Sequence, residues 1–286
     1  MAEQGGRSIA VVGATGLQGQ AVTRRLLEEG WTVRALTRNP AGDKARALAR
    51  LGADVRQADS ADVDALGRSF AGAHGVYSVQ NHHISGYLGE VAQGRNVVDA
   101  AARAGVGHLV YASAGTGQAG TGVGSWETKI EVAGHARQVG IPMTVLRPMA
   151  FMELMTERRF YPAASVWHVM PKLMGDTRPV GWLAVEDLAV IAARAFADPE
   201  SFVGRDVPLT SDVQSISECR TIWRKVTGRP PRRFPMPVWL FERFTGKDET
   251  TMWQWLRTNH VDLDTGPARQ IHPGALTVRS WLAARR

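Results

Sequence analysis

Short apolar runs alternate with amphipathic segments along the first half of the chain. Runs rich in β-branched residues predict strands at 8–13, 31–36, 53–58, 75–80, 108–113 and 142–147. Segments with apolar residues at helical spacing lie between them, at 18–29, 41–51, 63–70, 91–104 and 130–139. This alternation is typical of a parallel sheet wound on both faces by right-handed crossovers. We therefore predict an α/β fold of the Rossmann type, with a doubly wound sheet of six or seven parallel strands.

The composition of the chain changes beyond residue 141. Thirteen of the fourteen prolines and seven of the nine tryptophans lie there. Proline interrupts regular alternation, and tryptophan packs irregular interiors or lines pockets. We therefore predict a nucleotide-binding Rossmann domain at 1–150. The remainder, 151–286, is predicted to form a smaller C-terminal cap that carries the substrate site and can return in part to the sheet.

The overall composition is that of an ordinary globular protein, with 44% hydrophobic and 21% charged residues. The polar N-terminus lacks the apolar core of a signal peptide, and no run of eighteen apolar residues occurs. The single cysteine, Cys219, excludes an internal disulfide and fits a reducing compartment. We expect a soluble, cytoplasmic protein without membrane contact.

The net charge of +7 raises the question of a nucleic-acid partner. The 29 arginines and 5 lysines are scattered along the chain, without zinc spacing, a ribonucleoprotein-type motif or a basic heptad helix. A basic surface attracts anions in general, including phosphorylated cofactors and acidic substrates. We therefore expect no nucleic-acid partner, and the charge favours anionic small molecules.

Three glycines stand three positions apart directly after the first predicted strand, at Gly13, Gly16 and Gly19. Glycine at a strand-to-helix turn lets the backbone approach a pyrophosphate, whose charge faces the N–H groups and dipole of the helix start. The alternative is a tight turn without a ligand. The position between an apolar strand and the helical segment QAVTRRLLEEG favours the dinucleotide-binding loop.

The end of the second predicted strand bears on the choice of cofactor. An acidic residue there would bind the ribose 2′-hydroxyl of NAD. The chain has no Asp or Glu between Trp31 and Gly42; it has Arg38, and Lys44 follows at the next helix start. Because arginine makes bidentate contacts to phosphate, the segment favours NADP(H) over NAD(H).

Several motifs together make the chain similar to the NmrA-like family, an atypical branch of the short-chain dehydrogenase/reductase superfamily. The resemblance covers about the first 200 residues. The motifs are GATGLQG (13–19), VRALTRNP (33–40), VRQADSAD (55–62), VVDAAARAGVGHLVYAS (97–113), SWETKIEVAGHARQVGIPMTVLRP (125–148) and WLAVEDLA (182–189).

The resemblance implies a set of residues that bind the cofactor. The glycine loop would hold the pyrophosphate, Arg38 the 2′-phosphate, and Asp59 would lie near the adenine. The segment after the fourth strand would pass the nicotinamide ribose, and Lys129 would reach the ribose hydroxyls or the nicotinamide. The complete set is Gly13, Thr15, Gly16, Leu17, Gln18, Arg38, Asp59, Val79, Gln80, Asn81 and Lys129.

The family is functionally mixed, so the resemblance implies the fold and the cofactor more closely than the reaction. Some members resemble NADPH-dependent quinone or azo reductases. Others are redox sensors that bind NADP(H) without catalysis and regulate a partner protein. More distant relatives reduce phenylpropanoid compounds with the lysine as general acid or base.

The segment SWETK (125–129) has the lysine of a short-chain reductase but lacks its tyrosine. A carbonyl reductase of that type donates a proton from a tyrosine four residues before the lysine, where this chain has Ser125. Ser125 is a much weaker acid, and capping of the helix is an equally good explanation of it. Lys129 is the candidate catalytic residue, and a solvated helix charge is the alternative. Tyr77 and Tyr111 lie in predicted strands and fit the core.

A pocket for a flat aromatic substrate would draw on residues after the fourth and sixth strands and on the tryptophans. For the aromatic residues the alternative is core packing, and for the histidines it is solvent exposure. No third ligand stands at useful spacing from His82 and His83, so we predict no metal. The substrate-binding candidates are His82, Trp126, Phe151, Met152, Trp167 and Trp182.

Two functions from different classes remain open. As an NADPH-dependent oxidoreductase, the protein would transfer hydride to a flat conjugated acceptor of quinone or azo type, which needs little acid help. As a sensor, it would bind NADP(H) without turnover and present a redox-dependent surface to a protein partner. The expected substrate is small and aromatic, and a monomer and a homodimer both stay open.

Overall fold

The structure is a computed structural model that describes residues 6–156, 165–232 and 235–285. A 3-10 helix (Met152–Met155) and a π-helix (Ser165–Val169) precede α6. The strands are β1 (Ser8–Val11), β2 (Thr32–Thr37), β3 (Asp54–Gln57), β4 (Gly75–Ser78), β5 (His108–Ala112), β6 (Met143–Pro148), β7 (Ala150–Phe151), β8 (Pro179–Leu183), β9 (Asp206–Leu209) and β10 (Asp212–Ser215). The α-helices are α1 (Leu17–Glu28), α2 (Asp43–Arg50), α3 (Val63–Phe70), α4 (His82–Arg103), α5 (Gly124–Val139), α6 (Met170–Met174), α7 (Val185–Ala197), α8 (Pro199–Phe202), α9 (Ile216–Thr227), α10 (Val238–Thr245), α11 (Asp248–Thr258), α12 (Gly266–Ile271) and α13 (Val278–Ala283).

The chain forms two compact units. The first runs from the N-terminus to Ala114 and includes Thr128–Arg147 and Leu188–Val207. The second comprises Gly115–Glu127, Pro148–Asp187 and the chain from Pro208 onward. No helix in the described part of the chain is both long and apolar enough to cross a lipid bilayer.

A seven-stranded sheet, in the order β3-β2-β1-β4-β5-β6-β9, organises the first unit. Five pairs of neighbouring strands are parallel: β1–β2, β2–β3, β1–β4, β4–β5 and β5–β6. These strands and their helices confirm the predicted doubly wound α/β fold. The chain leaves β1 toward β2 on one side and later places β4 on the other, so the switch of strand order lies between β1 and β4. Ligands of such sheets bind at the carboxyl ends of the strands next to this switch.

The position of each strand in the sheet agrees with its composition. The strands β1, β4 and β5 read SIAV, GVYS and HLVYA, and all their residues are buried. Parallel strands covered by helices on both faces have such continuous apolar runs. The edge strand β3 reads DVRQ and is partly exposed.

Two helices begin earlier than their apolar periodicity predicts. The helix predicted at 91–104 begins at His82, and its backbone is interrupted at Gly86, where φ is +70°. The helix predicted at 130–139 begins at Gly124. The added segments, HHISGYLGE (82–90) and GSWETK (124–129), are polar or glycine-containing, so they lack the periodic apolar stripe on which such predictions depend.

The second unit contains a three-stranded sheet in the order β10-β8-β7. Its core is rich in methionine and tryptophan, and it includes Trp167, Trp182, Trp253 and Trp281. Cys219 is a free, buried cysteine in this core, and burial raises the pKa of its thiol above the usual range. A thiol of this kind is unreactive, because the thiolate is the reactive form.

Candidate functional site

The glycine loop between β1 and α1 packs directly against the segment that follows β4. Gly13 has a φ of +72°, and a Cβ there would lie 3.0 Å from Val79 Cγ1 and 3.1 Å from the Val79 carbonyl oxygen. A Cβ at Gly19 would overlap the carbonyl oxygen of Gly13. Only glycine fits these two positions, so the loop and Val79 form one edge of the crevice at the switch.

The first turn of α1 offers uncapped backbone N–H groups to this crevice. Gly16 is the N-cap residue, no side chain accepts a hydrogen bond there, and the first turn carries no acidic residue. Such a helix start favours anions through its free N–H groups and its dipole. Gln20 Nε2 donates to the Thr15 carbonyl oxygen at 2.9 Å and thereby braces the loop.

Gln18 is oriented by a residue that the sequence pattern assigned only to the core. The buried Tyr77 hydroxyl donates to Gln18 Oε1 at 3.1 Å. The carboxamide oxygen is thus occupied, and the amide NH₂ of Gln18 is the group left to donate toward a phosphate. A tyrosine on β4 thereby supports the loop after β1.

The carboxyl ends of β2 and β3 carry the residues predicted for the adenosine half of the cofactor. Arg38 is exposed, and its guanidinium makes no hydrogen bond or ion pair with any described residue. Lys44 Nζ donates to the Thr15 carbonyl oxygen at 3.3 Å, which brings a second positive charge to the glycine loop. Asp59 is half-buried and accepts from the Ala61 N–H at 2.9 Å.

Lys129 is a buried residue, with 8% of its surface exposed. Its Nζ donates to the Gln80 carbonyl oxygen at 3.1 Å and forms an ion pair with the carboxylate of Glu90. Glu90 is fully buried and also accepts from the Thr128 hydroxyl at 2.7 Å. The ammonium therefore lies at the carboxyl end of β4, next to the segment that packs on the glycine loop. The alternative of a solvated helix charge is wrong.

The residues after Gln80 begin α4. The Asn81 side chain accepts from the His83 N–H at 2.9 Å and caps the helix. The His82 ring stacks on Tyr87, with ring centroids 5.2 Å apart and planes 14° apart. Gln80 itself is buried, and its Nε2 donates to Ser78 Oγ at 2.8 Å.

Tyr77 and Tyr111 do not supply the phenol that SWETK lacks. Tyr77 and Tyr111 are fully buried, and burial raises the pKa of each phenol above its usual range. Tyr161 lies outside the described residues. Ser125 lies inside the first turn of α5 rather than capping it, and its N–H donates to Asp248 Oδ1 at 3.0 Å.

The tryptophans predicted to line a substrate pocket lie in the interior of the second unit. Trp126, Trp167 and Trp182 each expose at most 2% of their surface. The indole N–H of Trp167 donates to the Met155 carbonyl oxygen, and that of Trp182 to the Gln214 carbonyl oxygen. This burial favours the core-packing alternative, and substrate contact for these residues stays a prediction.

Two further substrate candidates, Phe151 and Met152, lie at the end of β7 and directly after it. Met152 is fully buried in the same core as Trp167 and Trp182. Phe151 is half-buried. In the first unit the structure brings the glycine loop, the segment after β4 and Lys129 together, and it places Arg38 and Asp59 just after β2 and β3. In the second unit it places Met152, Trp167 and Trp182 in one core.

Glu90, Thr128 and Tyr77 were missed by the sequence analysis. Glu90 and Lys129 are 39 positions apart and come from different helices, so no spacing rule joins them. Glu90 directly precedes the mixed polar and apolar segment VAQGRNVVDAAA, and its position in the sequence gave no signal of burial.

Comparison with known proteins places the chain in a family. The model of the NmrA-like family matches residues 6–269. The NmrA-like family domain-containing oxidoreductase FrzB of Cladobotryum sp is 30% identical over 259 residues, which cover 81% of this chain and 77% of that protein. The oxidoreductase malD of Malbranchea aurantiaca is 28% identical over 264 residues, which cover 83% and 78%.

Solved structures with the same fold have lower sequence identity. The negative transcriptional regulator NmrA in complex with NADP has a TM-score of 0.78 at 21% identity, covering 98% of this chain and 95% of that one. The Citrobacter sp. triphenylmethane reductase complexed with NADP(H) has a TM-score of 0.76 at 19% identity, covering 97% and 99%. The NADPH-dependent quinone oxidoreductase QOR2 of Escherichia coli has a TM-score of 0.72 at 23% identity, covering 97% and 99%. The family model spans nearly the whole chain, and the chain therefore belongs to the NmrA-like family.

Proposed function

We propose that the protein is an NADPH-dependent oxidoreductase whose acceptor is a flat conjugated molecule, such as a quinone or an azo compound. The observation that carries this proposal is the position of the Lys129 ammonium. It is bonded to the Gln80 carbonyl oxygen, one residue from the point where Val79 contacts the glycine loop. A phosphate-binding loop and a buried cation thus belong to one crevice.

The residues of this crevice fit NADP(H). The uncapped first turn of α1 and the Gln18 amide would bind the pyrophosphate, and the unpaired Arg38 would bind the 2′-phosphate. Lys129 would donate its remaining N–H to the nicotinamide ribose. When bound, NADPH supplies the hydride for reduction. Asp59 would lie at the adenine end.

The proposed acceptor class follows from the missing tyrosine four residues before Lys129, where the chain has Ser125. Neither buried tyrosine can donate a proton readily, because burial raises the pKa of both phenols. A conjugated acceptor spreads the incoming charge, so water can supply the proton. The positive net charge favours anionic acceptors. The names of the Citrobacter and Escherichia coli reductases agree with acceptors of this kind.

A second candidate function is a non-catalytic NADP(H)-binding redox sensor that regulates a protein partner. The observation that favours it is that the Lys129 ammonium is committed to Glu90 and to the Gln80 carbonyl oxygen, an arrangement that suits binding without turnover. The name of NmrA, a negative transcriptional regulator, agrees with this alternative.

Loss of NADPH absorbance separates the two functions. The wild-type protein is assayed with a panel of quinones, azo dyes, triphenylmethane dyes, aldehydes and imines, and NADPH binding is measured by calorimetry. Turnover with a conjugated acceptor but not with aldehydes would support the reductase. NADPH binding without turnover across the panel would support the sensor. Absence of NADPH binding would refute both.

A further inference from the structure

The ion pair between Glu90 and Lys129 joins two helices of the first unit. Glu90 belongs to α4 and Lys129 to α5. One turn further along both helices, a Cβ at Gly94 would overlap the side chain of Val132, so the two helices pack closely there. This close approach brings the Glu90 carboxylate to the ammonium of Lys129 and to the hydroxyl of Thr128.

Both oxygens of this carboxylate are occupied. One pairs with Lys129, and the other accepts from Thr128. A carboxylate without solvent exposure is costly to bury and persists only with such partners. A buried pair of this kind is weak evidence for stability, because neutral residues of similar volume often stabilise the fold as well. The pair therefore calls for a functional explanation.

The ammonium of Lys129 has three hydrogens and two acceptors among the described residues. Glu90 accepts one hydrogen and the Gln80 carbonyl oxygen another. The third hydrogen is left for a ligand at the carboxyl end of β4. The two acceptors come from different directions, so they hold the ammonium in place and fix the remaining donor.

We propose that Glu90 is the positioning residue of Lys129: its buried carboxylate is the counter-charge of the ammonium and orients it toward the nicotinamide half of the cofactor. The inference rests on the proposed function and deepens it. It makes Lys129 a group that is held in place to bind the cofactor.

The test is the pH dependence of cofactor binding in Glu90→Gln. Calorimetry is performed with NADPH and with NADH from about pH 6 to about pH 9, since NADH lacks the 2′-phosphate that titrates near pH 6. The affinity of the wild-type protein for NADH is expected to stay flat. In Glu90→Gln the amine is buried without a counter-charge, so it loses its proton as the pH rises. Affinity should fall about tenfold across this range, the effect of losing one hydrogen bond from a charged donor.

Glu131→Gln is the matched control. It makes the same chemical change on α5, but Glu131 pairs with Arg95 at the surface and does not touch Lys129. This variant should bind NADH as the wild type does at every pH. A flat profile in a folded Glu90→Gln protein would overturn the inference and leave Glu90 a structural role only.

A double variant keeps the test decisive if Glu90→Gln does not fold. Glu90→Gln combined with Lys129→Met replaces the pair by neutral residues of similar size, a change that buried ion pairs often tolerate. It should bind NADH more weakly than the wild type, with a flat profile. Wild-type affinity in the double variant would overturn the inference. Failure of the wild-type protein to bind either cofactor would overturn the proposed function and the inference together.

Discussion

At the scale of single residues, the two buried tyrosines of the sheet differ in what their hydroxyl groups contact. The Tyr77 hydroxyl donates to Gln18 in the glycine loop. The Tyr111 hydroxyl is buried without a hydrogen-bond partner among the described residues. The same residue type on neighbouring strands thus supports the candidate site in one case and only fills the core in the other.

This difference gives a paired prediction. Tyr77→Phe should weaken NADPH binding by about threefold to tenfold, the effect of one lost hydrogen bond, because Gln18 loses its orientation. Tyr111→Phe is the control and should leave binding unchanged. Calorimetric titration of both variants measures the effect. Equal affinity in the two variants would mean that Gln18 does not depend on Tyr77.

At the scale of elements, the turns that follow β1 and β2 have different roles toward the cofactor. The turn after β1 depends on glycine because neighbouring backbone leaves no space for a side chain. The end of β2 depends on charge, since Arg38 is exposed and unpaired among the described residues. Changes in the first turn should therefore affect the fold and binding together, whereas a change at β2 should affect the choice of cofactor.

Gly19→Ala tests the steric requirement of the first turn. The added Cβ would overlap the Gly13 carbonyl oxygen, so we expect a loss of about 2 kcal/mol in the free energy of unfolding and weaker NADPH binding. Gly134→Ala in α5 is the matched control, because a Cβ there meets no atom within 4 Å. It should stabilise the protein by about 0.5–1 kcal/mol. Denaturant unfolding measures both, and an unchanged Gly19→Ala protein would contradict the close packing of the loop.

Arg38→Ala tests the charge at the end of β2. Loss of a charge-assisted contact to the 2′-phosphate should weaken NADPH binding by about 10-fold to 100-fold and leave NADH binding nearly unchanged. Arg50→Ala removes another exposed arginine, from the end of α2, and should change neither affinity. Fluorescence titration with both cofactors provides the measurement. An equal loss for NADPH and NADH would remove Arg38 from the 2′-phosphate site.

Most strands and helices of the first unit could be predicted from the sequence, because their burial imposes regular apolar patterns. The strands β1, β4 and β5 are continuous apolar runs because helices cover both faces of the sheet. The glycine loop was predictable because the backbone of this turn requires glycine at fixed positions, and these glycines are visible in the sequence. The Glu90–Lys129 pair was not predictable, since it forms only when α4 packs against α5. The polar first turns of α4 and α5 were missed because they carry no periodic apolar stripe.

At the scale of the whole molecule, two buried ionisable groups give opposite dependences of stability on pH. Burial lowers the pKa of His108 to about 4 and raises the pKa of Asp187 to about 6. When the pH is below 6.5, the ordinary pKa of histidine, His108 takes up a proton more readily in the unfolded chain than in the fold. Its contribution to the free energy of unfolding is therefore lost as the pH falls toward 4. Asp187 binds its proton more tightly in the folded than in the unfolded chain. Its contribution to the free energy of unfolding is therefore lost as the pH rises from 3.8 toward 6.

Each effect amounts to about 3 kcal/mol, and the two partly cancel in the wild-type protein between about pH 4 and about pH 6.5. In His108→Gln the free energy of unfolding should rise, relative to wild type, as the pH is lowered through this window. In Asp187→Asn it should fall, relative to wild type, over the same interval. Chemical denaturation at a series of pH values measures both slopes. Parallel curves for wild type and both variants would contradict the assigned pKa values.

The pairing of β1 with β4 also has a consequence for the order of folding. Ile9 pairs with Gly75, so this ladder closes a loop of more than sixty residues. Contacts between such distant partners form slowly, because the entropy of loop closure opposes them. The glycine loop and Val79 come together only when this ladder is in place. A growing or unfolded chain therefore has no crevice to bind a nucleotide. A bound nucleotide would accordingly stabilise only the completed sheet, and the stability of the protein would follow the concentration of its ligand.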